Sequence, residues 1–594
     1  MPDVRVAVLV KQIPAPSAFK MEDARVVREG VALEVNAYCR RANAKAVELA
    51  GADGEVVVFT MGPPSARDAL CEMIACGASR GVHLCDPGFA GSDTFATARA
   101  LAAAIGREGP FDLVLGGLNS LDADTGQVPA ELAELLGLPF AAGIRDIDVS
   151  GQTFRARLET DDGFCSVDGE FPVVLSTAER LCDPSKASSE QCRLVAEDRI
   201  STVGLADLDL GPNDVGALGS PTSVGPVRVV EEARRPAMAG SVAEAVDMLV
   251  TLGAFVSETA EEAVVAESSF GEGGDREIWC FFTGRGVGAE LLGEAAQIAQ
   301  EISAIVVAVT AAPVPAGLGA LGADRVLAIP GAREPAEFAA GLAQAVGVAR
   351  PWALLVEGTL HGRVVASIVA ARHGWGLTGD AIGLEVDADE RLVAWKPAFG
   401  GRLEAPVSSR SPVQMATIRP GILAHRRPRD AADPVPVMLD VPQPAVIRTT
   451  SASPAGEQAG ELQRAEVIVA VGQGIDPATY DMVDDLRAAL GGAALGATRK
   501  VTDAGWLPRS TQIGVTGHSV APRLLIALAS SGRFNHTIGI RNSRVIMAIN
   551  ADPDAEIFDQ VDVGLVGASE QLVPELIEEL NARQATTPRS PTVA

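Results

Sequence analysis

The sequence predicts an α/β protein in which two similar parallel-sheet domains are followed by a third α/β unit. Three observations carry that expectation: β-rich runs alternate with alanine-rich helical stretches, the order of runs returns once, and the alternation starts afresh beyond residue 460. The first series is VRVAVLV, NAYCRRANAKAVELAG, GEVVVFTMG, SARDALCEMIACGAS, GVHLC, TFATARALAAAIGREG and FDLVLGG. Short apolar runs of this kind, each followed by a helical pattern, are the signature of βαβ units on a parallel sheet. The second series is EIWCFFTG, AELLGEAAQIAQEI, AIVVAVT, GADRVLAIPG, PAEFAAGLAQAVG and WALLVEG.

The two series match in detail. GASRGVHLCDPG (77–88) parallels GADRVLAIPG (322–331), and FDLVLGG (111–117) parallels WALLVEG (352–358). Each half then passes through a helix into a β section, VPAELAELLGLPFAAGIRDIDVSG in one and VVASIVAARHGWGLTGDAIGLEVDAD in the other. A duplicated domain accounts for this. The expected boundaries are a first domain at 1–205, an extended Pro- and Gly-rich arm at 206–275, a second domain at 276–425, a linker at 426–460, a third domain at 461–580 and a disordered tail at 581–594.

Composition bounds the function. A chain of 594 residues is too long for one core. With 77 acidic against 49 basic residues, a net charge of −28, it has no electrostatic claim on nucleic acid or on an anionic membrane surface. The eight cysteines, at 39, 71, 76, 85, 165, 182, 192 and 280, form no C-x-x-C pair and no cluster with histidine, so no metal site is expected and the thiols fit a reducing cytosol. The N-terminal MPDVRVAVLVKQIP reads as a strand rather than a signal peptide, and the longest uncharged run, 302–323, is broken by Pro313 and Pro315. A cytoplasmic protein without membrane insertion is expected.

Polar loops concentrate in the third unit: VGQG (471–474), GATRKVTDAGW (496–506), QIGVTGHSVAP (512–522) and SSGRFNH (530–536), followed by IMAINADPDAEIF (546–558). In open α/β sheets ligands bind where such loops meet at the carboxyl ends of strands. Any one glycine-rich loop can cradle phosphates, cradle a ring or turn a corner; so many within one unit favour a large cofactor. Gly284-Arg-Gly-Val-Gly288 is set aside as an ordinary strand–turn–helix junction, because it lacks the full G-x-G-x-x-G spacing.

GATRKVTDAGW, QIGVTGHSVAP, SGRFNH and AINADPDAEIF resemble the flavin-binding domain of the electron transfer flavoprotein alpha subunit. LTGDAIGLEV (377–386), WKPAFGGR (395–402) and PVQMATIRPG (412–421) resemble that subunit's first domain, and VKQIP, FTMGPPSARDAL, LCDPGFAGSDTFATARALA and LDADTGQVPAELAELLG resemble the beta subunit. The resemblance covers nearly the whole chain, beta first and then alpha. It implies two adenine nucleotide alpha hydrolase-like domains and a C-terminal Rossmann-like FAD-binding domain.

It also implies site residues. FAD contacts fall on Gln473, Thr498, Arg499, Gln512, Ile513, Gly514, Val515, Thr516, Ser531, Gly532, Phe534, Asn535, His536, Asn550 and Ala568. Among them Arg499 lies over the isoalloxazine, Thr516 at its N5 edge and His536 near its O2, the three implied to act on the flavin's charge. A guanidinium there offsets the charge that reduction adds, and a protonated imidazole does the same. Gln473 replaces the family's usual arginine, Val515 its glutamine, Ala568 an acidic residue and His518 a lysine. In the beta-like half, Leu9, Asn36, Met61, Gly62, Asp122, Asp124, Thr125, Gly126, Gln127 and Val128 are implied to hold an adenine nucleotide, AMP or, as in electron-bifurcating members, a second FAD.

The implied activity is an electron carrier, fed by a flavin dehydrogenase and drained by a quinone oxidoreductase or another acceptor, with fatty acid β-oxidation as the family's common setting. Two alternatives stand beside it: a bifurcating protein that oxidises NADH, and an adenine-nucleotide-binding enzyme or module without flavin. Ser189 and Glu190 in KASSEQCR occupy the positions where dehydrogenase-serving members usually present a leucine anchor.

Overall fold

A computed structural model describes residues 4–15, 21–22, 25–26, 30–120, 122–161, 163–229, 234, 236–255, 264–266, 276–398, 403–424, 426–440, 445–454, 462, 465–514, 517–518, 520–541 and 543–586. The chain divides into two compact units: one from Met1–Val229 and Glu262–Ser453, the other from Val230–Glu261 and Pro454–Ala594.

The first unit holds the duplicated domains. In the first domain the strands Arg80–Leu84, Glu55–Met61, Arg5–Leu9 and Leu113–Gly117 lie side by side and parallel, extended by Ile200–Val203 at one end and by Val173–Thr177 and Phe140–Ser150 at the other. In the second domain Arg325–Ile329, Ala304–Ala311, Arg276–Phe281 and Ala353–Glu357 repeat that order, followed by Gln414–Ile418 and Leu377–Ala381. Both sheets therefore read third, second, first, fourth strand, and the order reverses between first and fourth. The central strands are buried on both faces, Val6, Ala7 and Val8 in one sheet and Ile278 to Phe281 in the other, which is why they appear as unbroken apolar runs. The meander Phe140–Ser150, Thr153–Thr160 and Gly163–Glu170 continues the first sheet, whereas its counterpart, Gly383–Val386, Leu392–Ala398 and Leu403–Ser409, forms a separate antiparallel sheet.

The second unit is one parallel sheet, ordered Ala494–Ala497, Val467–Val471, Leu524–Leu528, Val545–Asn550, Val563–Val566 and Ala237–Ala239. Its first five strands follow the order 2-1-3-4-5 of doubly wound sheets, with the reversal beside Val467–Val471.

Three expectations about connecting segments are corrected. The 206–275 segment is not a plain arm: Thr222–Val224 and Arg228–Val229 pair with Leu403–Ser409, while Ala237–Ala239 and the helix Val242–Thr251 join the second unit. The helix buries Val242, Ala245, Val246 and Leu249, an i, i+3, i+4, i+7 stripe. The 426–460 linker also forms strands, Val437–Met438 on the second domain's sheet and Arg448–Pro454 at the end of the first domain's. The tail does not begin at 581, because the helix Ser569–Thr586 continues to Thr586; residues 587–594 lie outside the described residues.

Candidate functional site

In the second unit, loops follow the carboxyl ends of Val467–Val471, Ala494–Ala497 and Leu524–Leu528, the strands flanking the reversal. The loop 512–518 is folded on itself. Gln512 bridges to Ala497 and Ile513 to His518, with His518 N donating to Gln512 O at 2.7 Å and Gly514 N to His518 O at 3.1 Å. Gln512 is fully buried, and its Oε1 accepts the Thr502 hydroxyl at 2.7 Å. The loop leads into the strand Leu524–Leu528. Val515 and Thr516, two of the implied flavin contacts, lie outside the described residues.

His536 packs beneath this loop. Its Nδ1 lies 3.1 Å from Ile513 O, and since a carbonyl only accepts, Nδ1 carries the hydrogen. Burial lowers the pKa, opposed by the Ile513 carbonyl, so the ring is neutral and its buried Nε2 is an acceptor with no partner in the protein. A positive His536 therefore requires a charge brought in by a ligand.

The remaining implied contacts surround these. Thr498 precedes the short helix Arg499–Asp503, and Arg499 Nε pairs with Asp503 Oδ2 at 3.1 Å, both partly exposed. Gln473 is exposed in the turn after Val467–Val471. Ser531 is exposed, and Gly532 is buried at φ +79, where a Cβ would lie 2.0 Å from Ile557 N. Phe534 and Asn535 open the helix Phe534–Ile540. Asn550 ties two loops together, Nδ2 donating to Ser530 O at 2.8 Å and Oδ1 accepting Asp552 N at 3.0 Å. Ala568 stands away from these loops in chain position, its carbonyl accepting from Gln571 and Leu572 at the start of the last helix.

Sequence reasoning missed Thr502 and Ala529. Ala529 ends the strand Leu524–Leu528 at φ +48, and its carbonyl comes so near Gly472 that a Cβ there would lie 2.2 Å away. An alanine in that region costs about 1 to 3 kcal/mol and marks a backbone held for a purpose. These features suit a large planar cofactor: close-packed loops at the reversal, a glycine where no side chain fits, and a buried acceptor aimed at no protein atom.

In the first domain the implied nucleotide residues converge at the reversal between Arg5–Leu9 and Leu113–Gly117. Leu9 ends one strand, and Met61 and Gly62 end the next. Asn36 and Gln127 stand at the N-termini of the helices Ala37–Ala50 and Val128–Leu136, and neither caps its helix with a side chain. Asn36 Nδ2 donates to Asn119 O at 2.7 Å while its buried Oδ1 has no partner. Asn119 in turn donates to Asp124, which sits at φ +49 beside Thr125 and Gly126 at φ +64. Asp122 is buried against Lys11, Nζ to Oδ1 at 2.7 Å, a partner the sequence reading missed.

The Gln127 side chain is shared between the two domains. Its Oε1 accepts Thr94 Oγ1 at 2.8 Å and its Nε2 donates to Leu377 O at 3.3 Å. Glu131, one turn on, touches Thr94 Oγ1 at 3.1 Å; burial first, and the charge of Asp93 next, push its carboxyl well above the usual range.

Residues 23–200 and 285–467 match the Electron transfer flavoprotein domain, and residues 461–541 match the Electron transfer flavoprotein FAD-binding domain. The chain belongs to the electron transfer flavoprotein family. It is similar to that family's alpha subunit from Thermoanaerobacterium thermosaccharolyticum, 34% identical over 324 residues, which are 51% of this chain and 98% of the relative. It is also similar to the beta subunit from Clostridium acetobutylicum, 33% identical over 224 residues, 37% of this chain and 86% of the relative. A third relative, subunit LctC of the lactate dehydrogenase (NAD(+),ferredoxin) of Acetobacterium woodii, is 36% identical over 233 residues, 38% of this chain and 55% of the relative. Both subunit types of an electron transfer flavoprotein are thus fused here, beta first, and the fold is the expected pair of adenine nucleotide alpha hydrolase-like domains with an FAD-binding domain. No described helix is long and apolar enough to cross a membrane, and no group of histidine, cysteine and acidic residues among the described residues could hold a metal.

Proposed function

We propose that this chain carries electrons on one FAD held at the reversal of the second unit's sheet, taking them from a flavin dehydrogenase and delivering them to a quinone oxidoreductase or another acceptor in the cytoplasm. The observation that carries the reading is the buried, unpartnered Nε2 of His536 beneath the 512–518 loop, inside the region that matches the family's FAD-binding domain. Bound FAD supplies one- and two-electron exchange at its ring. The protein's part is positional. Gln512, fixed by Thr502, and Asn550, fixed on Ser530, hold the loops; Ile513 O fixes the His536 tautomer; Arg499 and Thr516 act at the ring edge; and Thr498, Gly514, Val515, Ser531, Phe534 and Asn535 line the remainder. His536 offers Nε2 as an acceptor and, once a nearby anion raises its pKa, as a donor.

The first domain's loops hold an adenine nucleotide in this reading, AMP or a second FAD. Partner docking falls to the short helix Ser189–Arg193, where Ser189 and Glu190 replace the usual leucine but Leu194, just beyond, is 81% exposed. A second reading, flavin-based bifurcation with NADH oxidation, is favoured by the likeness to LctC, whose enzyme is named for NAD(+) and ferredoxin. Counting FAD and AMP released per chain, with NADH added to the oxidised protein, separates the readings. One FAD, one AMP and no bleaching by NADH identify the carrier; two FAD with bleaching identify bifurcation; a colourless, flavin-free protein overturns both.

A further inference from the structure

Where the second domain meets the 122–128 loop, four charged side chains gather that serve neither site described so far. Asp380, fully buried at φ +61, accepts Arg363 Nη2 at 2.8 Å and Arg419 Nε at 3.1 Å on Oδ1, and Arg419 Nη2 on Oδ2. Lys396 Nζ donates to Gly379 O at 2.7 Å. Burial brings the Lys396 ammonium down to about 8, against the pull of Asp380 and Asp124. Three cations thus face one buried carboxylate, and the second carboxylate in reach is Asp124, whose Oδ2 lies 4.0 Å from Arg419 Nη2.

This group is pressed against the nucleotide loop. A Cβ on Gly379 would lie 2.8 Å from Gln127 Nε2 and 3.5 Å from Thr125 Cα. Asp124 and Asp380, on opposite sides of that contact, both occupy the left-handed region, a cost that persists only where the surroundings hold it. On the loop's own side are two helix N-termini without side-chain caps and the buried, unpartnered Oδ1 of Asn36. Uncapped amides and surplus cations both favour an anion. Asp124 is the more exposed of the two carboxylates, with 43% of its side chain accessible against none for Asp380, so it is the one an incoming anion can displace from Arg419. A guanidinium suits that exchange because its planar fork binds carboxylate and phosphate in the same geometry.

We propose that Arg419 and Lys396, carried by the second domain, read the phosphate of the adenine nucleotide held by the first domain's 122–128 loop, with Asp124 as the anion the phosphate displaces. Arg363 and Asp380 position Arg419. The inference rests on the reading of that loop as an adenine-nucleotide site, and it makes phosphate recognition a joint property of both halves of the duplication.

The test is calorimetric titration of the full chain, freed of nucleotide by dialysis, with AMP and with adenosine, in the unaltered protein and in Lys396→Met, Arg419→Gln and Asp124→Asn. The ratio of AMP to adenosine affinity is expected to fall about tenfold or more in the first two, the scale of a charge-assisted contact, while their adenosine affinity changes less than about twofold, and to rise in Asp124→Asn. Arg419→Gln leaves Asp380 short of one cation and can fail to fold; Lys396→Met and Asp124→Asn then decide, with a cooperative urea transition read by Trp279, Trp352, Trp375 and Trp395 of the same unit as the check on folding. An unchanged ratio in folded variants overturns the inference and leaves the nucleotide site standing. An unaltered protein that binds neither AMP nor adenosine overturns the nucleotide site and the inference with it.

Discussion

His361 gives the second domain an acid-sensitive core that can be measured. It lies at the start of the helix Leu360–His373, stacked on Phe281 with centroids 6.4 Å apart and edge-on to Phe338 at 5.2 Å, and its buried Nε2 has no partner. Burial lowers its pKa from 6.5 to about 4. The fold accepts only the neutral ring, so between those values the unfolded chain binds a proton that the folded chain refuses. The stabilisation is fully present above pH 6.5 and is lost as pH falls toward 4. From about pH 7.5 to about pH 5.5 the folded ring stays neutral while the unfolded one gains most of a proton, a loss of about 1.4 kcal/mol. Urea unfolding followed by tryptophan fluorescence reads this, because Trp279, Trp352, Trp375 and Trp395 share a unit with His361 and only Trp506 lies in the other. His361→Leu removes the titration and leaves all others in place, including His83, whose pKa burial also lowers. The variant's loss over the same interval should be smaller by about 1.4 kcal/mol. Equal pH dependence in the two proteins would refute the argument that burial alone sets this histidine.

Two further outcomes concern the flavin site. Gly532→Ala, which places a Cβ 2.0 Å from Ile557 N at a φ of +79, should purify with little FAD, read as the ratio of flavin to protein absorbance; full flavin content would mean that the 530–533 turn is not part of the cradle. Arg499→Ala should keep FAD but lower its reduction potential by roughly 60 mV for each tenfold loss of preference for the reduced form; an unchanged potential in spectroelectrochemical titration removes Arg499 from the ring.

What was legible in the sequence follows from the range over which each feature is decided. The parallel strands were legible because burial on both faces leaves unbroken apolar runs such as VAVL and WCFF, and the duplication because two such series share their order. The helix Val242–Thr251 carries its own signals, Ser241 accepting from Glu244 N and an apolar stripe, yet its docking beside Val563–Val566 depends on an edge some 300 residues away. The three residues Ala237–Ala239 are a strand only because that edge is open, so no local reading yields them. In the flavin site, loop positions came from motif resemblance, but the neutral state of His536 depends on burial and on Ile513 O, neither of which a one-dimensional pattern contains. Gln127 also ties the two domains together, which no local pattern shows, since Thr94 and Leu377 reach it from other parts of the chain.

The two copies of the duplication differ at the end of the fourth strand, where the implied nucleotide loops meet the first sheet. Matching FDLVLGG with WALLVEG sets Gly116 against Glu357, each at the end of the fourth strand beside the reversal. In the first domain that position has no side chain, a Cβ there would lie 2.9 Å from the Pro129 ring, and the loops at this end of the sheet carry uncapped helix ends and the unpartnered Asn36 Oδ1. In the second, the Glu357 carboxyl is buried there and accepts the Thr283 hydroxyl at 2.7 Å, just before the uncapped helix Arg285–Ile302. Burial raises its pKa, and hydrogen bonds from Thr283 and the Gly284 backbone pull it back. Gly362 is packed so closely that a Cβ would lie 2.0 Å from Glu357 O, and Gly288 so closely that one would lie 2.6 Å from the Phe282 ring. Of the glycines in Gly284-Arg-Gly-Val-Gly288, Gly288 alone is closely packed, while Gly284 and Gly286 have open space, and at this junction the chain supplies its own buried acid, Glu357. The second domain's Arg419, by contrast, reaches the first domain's loop, its Nη2 lying 4.0 Å from Asp124 Oδ2.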